Sequence, residues 1–359
     1  MHLYLIRHAE TVDNVAGLYA GTRDSALTVH GSLQADRLGR HFASRDIKFS
    51  RIWASDLIRA VRTAEAIAQA QGRDVGGGRE VKIQDENDIS GGDNTVEEKD
   101  RDGGDGGDGG EEGGSRQHDR VVEVVKTALL REQDFGSMEG VPFYSRPKEV
   151  GGTLTGKENE RLKHMGEEGW VDGESKVSVT RRADEFLDLF LVPLLLDHEA
   201  RREGDQEEKE GEREMTMAVV SHGITLSHLW RALLRRFGKG CVRLAPEVSV
   251  GSGGGMGGAT LEHLGGWGNT GFLELQISKV AESSRARNES GEVAIDLGGD
   301  VGSERTEVTN KMLEGFTMVI LTVNGKEHLT GLKRTRGVGS SRFDEGQRKI
   351  ENFFKRTKI

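Results

Sequence analysis

The chain has 359 residues, enough for one large domain or two ordinary ones, but only 34% are hydrophobic and 51 are glycine, so part of it cannot be packed core. The net charge of -10 collects in Gly-rich and Glu-rich runs, which describe solvated loops and exclude an inference to a basic or acidic partner. A single cysteine, Cys241, excludes an internal disulfide. With no basic-then-apolar leader and no bilayer-spanning apolar run, the expectation is an intracellular protein, cytoplasmic or nuclear, with no membrane partner.

Leu3, Tyr4, Leu5 and Ile6 form a short apolar run that predicts a strand ending at Arg7-His8. A helix is predicted from an N-cap at Thr28 through Leu33, Ala35, Leu38 and Phe42. Ile52-Trp53-Ala54 reads as a buried strand, and the long helix after it places Leu57, Ala60, Val61, Ala64 and Ile67 on one face. From Gly72 the pattern collapses into acidic, Gly-rich sequence that buries too little to offset its ordering entropy, so a disordered insertion is expected over 73–119.

Order returns over residues 121–130, and Phe186, Leu189, Phe190 and Leu194 mark a buried helical face within 180–196. A second charged insertion is expected over 198–214. Met217-Ala218-Val219-Val220 is a fully apolar strand, followed directly by a helix over 224–237. The glycine cluster 251–258 lacks the Lys and Ser/Thr of a P-loop and reads as a flexible loop. Residues 272–277 and 316–323 look like two paired strands, with a third insertion over 281–307 between them.

Strands alternating with helices predict an α/β domain, a three-layer α/β/α sandwich around a mostly parallel sheet interrupted by disordered insertions. Functional residues then belong at the carboxyl ends of strands, where Arg7-His8, Ser55-Asp56 and Ser221-His222 fall. Phosphoryl transfer accounts for such a set. Its transition state spreads charge over three oxygens, which arginine forks match. A neutral imidazole can attack phosphorus, and a carboxylic acid can protonate the leaving oxygen.

The run Arg7-His8-Ala9-Glu10-Thr11-Val12-Asp13-Asn14 resembles the signature that opens the histidine phosphatase (phosphoglycerate-mutase-like) superfamily, with Ala9 where Gly is usual. Further blocks follow in that family's order: Leu27-Thr28 with Gly31, Gln34 and Ala35; Ser55 to Ala60 with Thr63-Ala64; Leu130-Arg131-Glu132 with Phe135-Gly136 and Glu139-Gly140; Gly173-Glu174-Ser175 with Arg182; Val219 to Gly223; and Asn269-Thr270 before the final strand. The resemblance spans residues 1–332 as one catalytic domain. It implies that His8 accepts the phosphoryl group, that Arg7, Asn14, Arg59, His222 and Gly223 surround the phosphate, and that Glu132 is the general acid. Asp56 is expected to cap its helix. No metal and no cofactor is implied.

A phosphatase acting on a small phosphorylated substrate is favoured over a phosphoglycerate-type mutase, because no basic cluster is dedicated to a second phosphate. Arg181-Arg182 is a candidate whose helical setting suits a solvated face equally well. After Leu332 the chain turns basic, and a flexible tail is expected over 333–359. Within it Gln347, Ile350, Phe353 and Phe354 resemble the PIP box of proteins that dock on PCNA, the DNA sliding clamp. The spacing puts the apolar residues on one face of a short helix. A catalytically idle protein docking on the clamp through this tail is a further alternative. No direct nucleic-acid binding is expected, since no basic, aromatic-interleaved face supports it.

Overall fold

In the computed structural model, residues 1–72, 82–85, 122–143, 168–204, 214–248, 261–280, 312–335 and 337–343 are described. The chain order is β1 (His2–Arg7), α1 (Val12–Ala16), α2 (Val29–Ser44), β2 (Arg51–Ser55), α3 (Ile58–Gly72), β3 (Lys82–Asp85) and β4 (Glu123–Thr127). It continues with α4 (Lys176–Phe186), a π-helical turn Leu187–Leu191, α5 (Val192–Gly204), β5 (Thr216–Ser221), α6 (Gly223–Leu234), β6 (Val242–Leu244), β7 (Phe272–Lys279) and β8 (Phe316–Gly325).

The strands form one eight-stranded sheet in the order β3-β4-β2-β5-β1-β7-β8-β6. β3, β4, β2, β5 and β1 run parallel. β7 joins β1 antiparallel, β8 pairs antiparallel with β7, and β6 lies parallel to β8. The expected α/β sandwich around a mostly parallel sheet is the observed fold.

Strand periodicity explains the two cores. Leu3 and Leu5 point to one face with Trp53, Met217 and Val219, where Phe186, Leu191, Leu226 and Trp230 cover them. Tyr4 and Ile6 point to the other with Ile52, Ala218 and Val220, under Leu38, Phe42 and Ile67 of α2 and α3. Alternate residues of a strand face opposite ways, and helices on both faces bury both sets, so β1 and β5 read as continuous apolar runs. Each such side chain contributes about 2 kcal/mol of burial.

Several expectations are corrected. The segment 73–119 holds β3, which extends the sheet beyond β4; a four-residue edge strand is too short to announce itself by pattern. α5 continues through the charged residues to Gly204, because a helix on the surface accepts a polar face. The helix expected over 180–196 starts earlier and is broken by the π turn, and the one expected to reach 237 ends at Leu234. Part of the expected tail is anchored: Phe343 N donates to Leu27 O and Val29 N to Ser341 O, while Arg334 pairs with Glu10. The glycine cluster, 281–307 and the motif Gln347 to Phe354 lie outside the described residues. No helix among the described residues is long and apolar enough to cross a membrane.

Candidate active site

The carboxyl ends of β1, β2 and β5 and the chain after β4 converge at one edge of the sheet. Parallel pairing sets Arg7 beside Ser221, so His8 and His222 leave adjacent strands together, their ring centroids 5.0 Å apart. Both imidazoles are buried, at 4% and 0% exposure.

Hydrogen bonds fix the tautomers. His8 Nδ1 lies 2.7 Å from the Ala9 carbonyl; a carbonyl only accepts, so Nδ1 carries the proton and Nε2 keeps its lone pair. Arg59 Nε donates to His222 Nδ1 at 3.1 Å, so the proton of His222 sits on Nε2. Burial first, and then the Arg59 and Arg7 charges, hold His8 well below its ordinary value. Burial, Arg59, His8 and Arg7 do the same for His222. Both rings are neutral near pH 7, so His222 offers a hydrogen bond and not a charge.

Arg59 is almost wholly buried at 1% exposure. Its guanidinium donates to the carbonyls of Arg23 (2.8 Å), Gly21 (2.6 Å) and Ala20 (3.3 Å). That loop is tied down in turn by Glu139, which accepts from Gly21 N, Thr22 N and Phe135 N. Gly21 is required there, since an added Cβ would lie 2.1 Å from the Gln133 carbonyl oxygen. Arg7 donates through Nη1 to Trp267 O at 2.6 Å. Burial lowers the pKa of both guanidinium groups, and the Glu132 charge opposes that.

Glu132 sits at the start of α6. Its carboxylate accepts from Ile224 N (3.1 Å), Thr225 N (3.1 Å) and Thr225 Oγ1 (3.2 Å), a setting that the helix dipole favours for an acidic group. Gly223 is the first residue of α6, and an added Cβ would be 3.9 Å from Arg7 Nε. Asn14 closes a capping box with Thr11 at the start of α1.

Sequence reasoning missed two roles. Asp56 does not cap α3: Asp24 Oδ1 accepts from Ile58 N at 2.8 Å. Asp56 instead holds Arg131 in a two-pronged ion pair at 2.7 and 2.6 Å, next to Glu132. Arg182 does not wait for a phosphate. It forks onto Glu174 and donates to the carbonyls of Leu129 and Arg131, bracing the loop that carries Glu132. Arg181 is exposed.

The model of the histidine phosphatase superfamily (branch 1) matches residues 3–86 and 114–246, and the chain belongs to that family. A probable phosphatase of Schizosaccharomyces pombe is 27% identical over 354 residues, 97% of this chain and 78% of its own. A probable phosphoglycerate mutase of Erwinia tasmaniensis is 46% identical over 72 residues, covering 20% of this chain and 33% of that protein. An adenosylcobalamin/alpha-ribazole phosphatase of Salmonella typhimurium is 45% identical over 75 residues, 21% of this chain and 35% of its own. The chain thus aligns with about a third of the length of these bacterial relatives. A solved mycobacterial glucosyl-3-phosphoglycerate phosphatase is similar over 77% of this chain and 91% of its own, at 19% identity and a TM-score of 0.39.

Proposed function

We propose that the chain hydrolyses a phosphomonoester through a covalent phosphohistidine on His8. One observation carries the reading: Arg7 Nε and His222 Nε2, both buried, have no hydrogen-bond partner among the described residues. Buried donors left open cost about 1–3 kcal/mol each, and a phosphoryl group beside His8 satisfies them. Arg59, Asn14 and Gly223 complete the surround.

In this mechanism His8 Nε2 attacks phosphorus while the bond to the leaving oxygen breaks and Glu132 gives that oxygen a proton. Glu132 then takes a proton from water, which attacks phosphorus. The P–N bond breaks, returning free His8 and inorganic phosphate. The depressed pKa of His8 keeps the lone pair available. Hydrolysis is favoured over phosphomutase chemistry because the charge of Arg182, the sequence's candidate for a second phosphate, is paired by the Glu174 carboxylate, whereas Arg59 is held by neutral carbonyls and an imidazole. A small phosphorylated molecule is the proposed substrate class. The test is turnover of p-nitrophenyl phosphate by wild type and His8→Ala. Loss of activity in a folded variant is expected; an active His8→Ala chain refutes the mechanism.

A second proposal concerns Gln347, Ile350, Phe353 and Phe354. We infer that they dock on the DNA sliding clamp, with Lys355, Arg356 and Lys358 steered to an acidic surface. Support comes from the four matched positions and the basic flank. A peptide of residues 340–359 is expected to bind PCNA in calorimetry, and absence of heat at saturating clamp removes this reading and the nuclear location it implies.

A further inference from the structure

The loop before β7 reaches into the site from outside the residues that the family model matches, which end at 246. We infer that Asn269 in this loop is a positioning residue that sets the orientation of the phosphate donor Asn14 and of the His8 backbone. This assignment rests on the phosphohistidine reading above.

The hydrogen-bond chain is closed. Asn269 Nδ2 donates to the His8 carbonyl at 3.1 Å and to Asn14 Oδ1 at 3.0 Å. The His8 carbonyl can only accept, so the Asn269 nitrogen must face it, and the second N–H of that nitrogen then requires an acceptor on Asn14. Thr11 N also donates to Asn14 Oδ1, at 3.2 Å. Two donors therefore fix which end of the Asn14 amide is oxygen. The NH₂ end is left with no hydrogen bond to the described residues, and it alone can serve an anion. A flipped Asn14 would present oxygen to a phosphate dianion and repel it.

Asn269 is itself held with care. Thr270 adopts φ +54, a left-handed conformation uncommon outside glycine. Its N–H is shared between the Arg7 and His8 carbonyls at 3.1 and 3.3 Å. Thr270 Oγ1 donates to the Asn269 carbonyl at 2.7 Å and meets His328 Nε2 at 2.8 Å. Gly268 N donates to Asn324 Oδ1 at 3.0 Å, and Trp267 O receives Arg7. The strained residue is thus over-determined by partners on both sides, and the loop registers Arg7, His8 and Asn14 against one another.

The experiment compares wild type, Asn269→Ala, Asn269→Asp, Asn14→Ala and the double variant Asn14→Ala/Asn269→Ala. It reads kcat and KM on p-nitrophenyl phosphate, the inhibition constant of inorganic phosphate, and thermal unfolding. Asn269→Ala is expected to raise KM and the phosphate inhibition constant about tenfold, the scale of one hydrogen bond to a charged group, with kcat changed less. Asn269→Asp keeps the shape but turns an acceptor toward two oxygens, so its loss should be larger. The double variant should bind phosphate no more weakly than Asn14→Ala. Unchanged constants in both Asn269 variants, or losses that simply add in the double variant, overturn the positioning role while leaving the phosphohistidine reading standing. A wild-type chain that neither turns over the ester nor binds phosphate overturns both.

Discussion

Glu139 lies away from the reacting atoms, yet its removal should disable the site through Arg59. The half-buried carboxylate holds three backbone N–H groups: Oε1 accepts from Gly21 (3.1 Å), Thr22 (3.0 Å) and Phe135 (3.1 Å), and Oε2 also from Gly21 (2.9 Å). Carbonyls of the same loop hold the Arg59 guanidinium. Hydrogen bonds to a charged acceptor contribute about 1.5–3 kcal/mol each, but water entering the gap left by alanine recovers part of that. Glu139→Ala should therefore cost about 3–5 kcal/mol, at the upper end for single substitutions. Glu139→Gln keeps the oxygen that serves three donors and sets an NH₂ against Gly21 N, so about 1–2 kcal/mol should be lost. The assay is urea unfolding of both variants with kcat/KM on p-nitrophenyl phosphate, where alanine should cost at least tenfold as Arg59 loses its seat. An alanine variant within 1 kcal/mol of wild type and fully active would refute this account of how Arg59 is held.

Glu132→Gln should slow alkyl phosphates more than aryl phosphates, because only poor leaving groups need the proton; equal losses would remove its acid role. Gly31→Ala should gain helix propensity of about 1 kcal/mol but places a Cβ 2.0 Å from the Glu10 carbonyl oxygen. The net should be about 1–3 kcal/mol destabilising, with a raised KM as the chain beside His8 shifts; a stabilised, fully active variant would contradict the packing. Burial holds His328 and His228 at about 4 and also depresses His8 and His222 below their ordinary value of 6.5. The unfolded chain then binds more protons below pH 6.5, so stability is full above that pH and falls between 6.5 and about 4. His328 alone should account for on the order of 3 kcal/mol by pH 4, and urea midpoints that stay flat from pH 7 to 4.5 would refute it.

The parts of the fold legible in sequence were those that depend on local period and short-range chemistry. Apolar runs in β1, β2 and β5 announced central strands because both faces of each are covered. Thr28 announced its helix by the capping bond that it makes to Gly31 N. The edge strands β3 and β6 did not show, since a strand of three or four residues with one free side carries little pattern. The π turn between α4 and α5 has no residue signature distinct from helix. The anchoring of 337–343 on α2 was hidden because it uses backbone groups, which every residue possesses.

The same division runs through the site. His8, Arg7, Arg59, Glu132, Asn14, Gly223 and His222 were named by the resemblance of ordered blocks to the family's motifs, and their residue types suit phosphoryl chemistry, which asks for an imidazole, cationic forks and an acid. Sequence order could not tell that Asp24 rather than Asp56 caps α3, that Arg182 braces a loop, or that Asn269 touches Asn14, because these pairs meet only when distant loops fold to one sheet edge. Residue type thus set which chemistry could be proposed for the site. Tertiary structure decided the tautomer and charge of each histidine, because those follow from burial and from which neighbour faces which nitrogen.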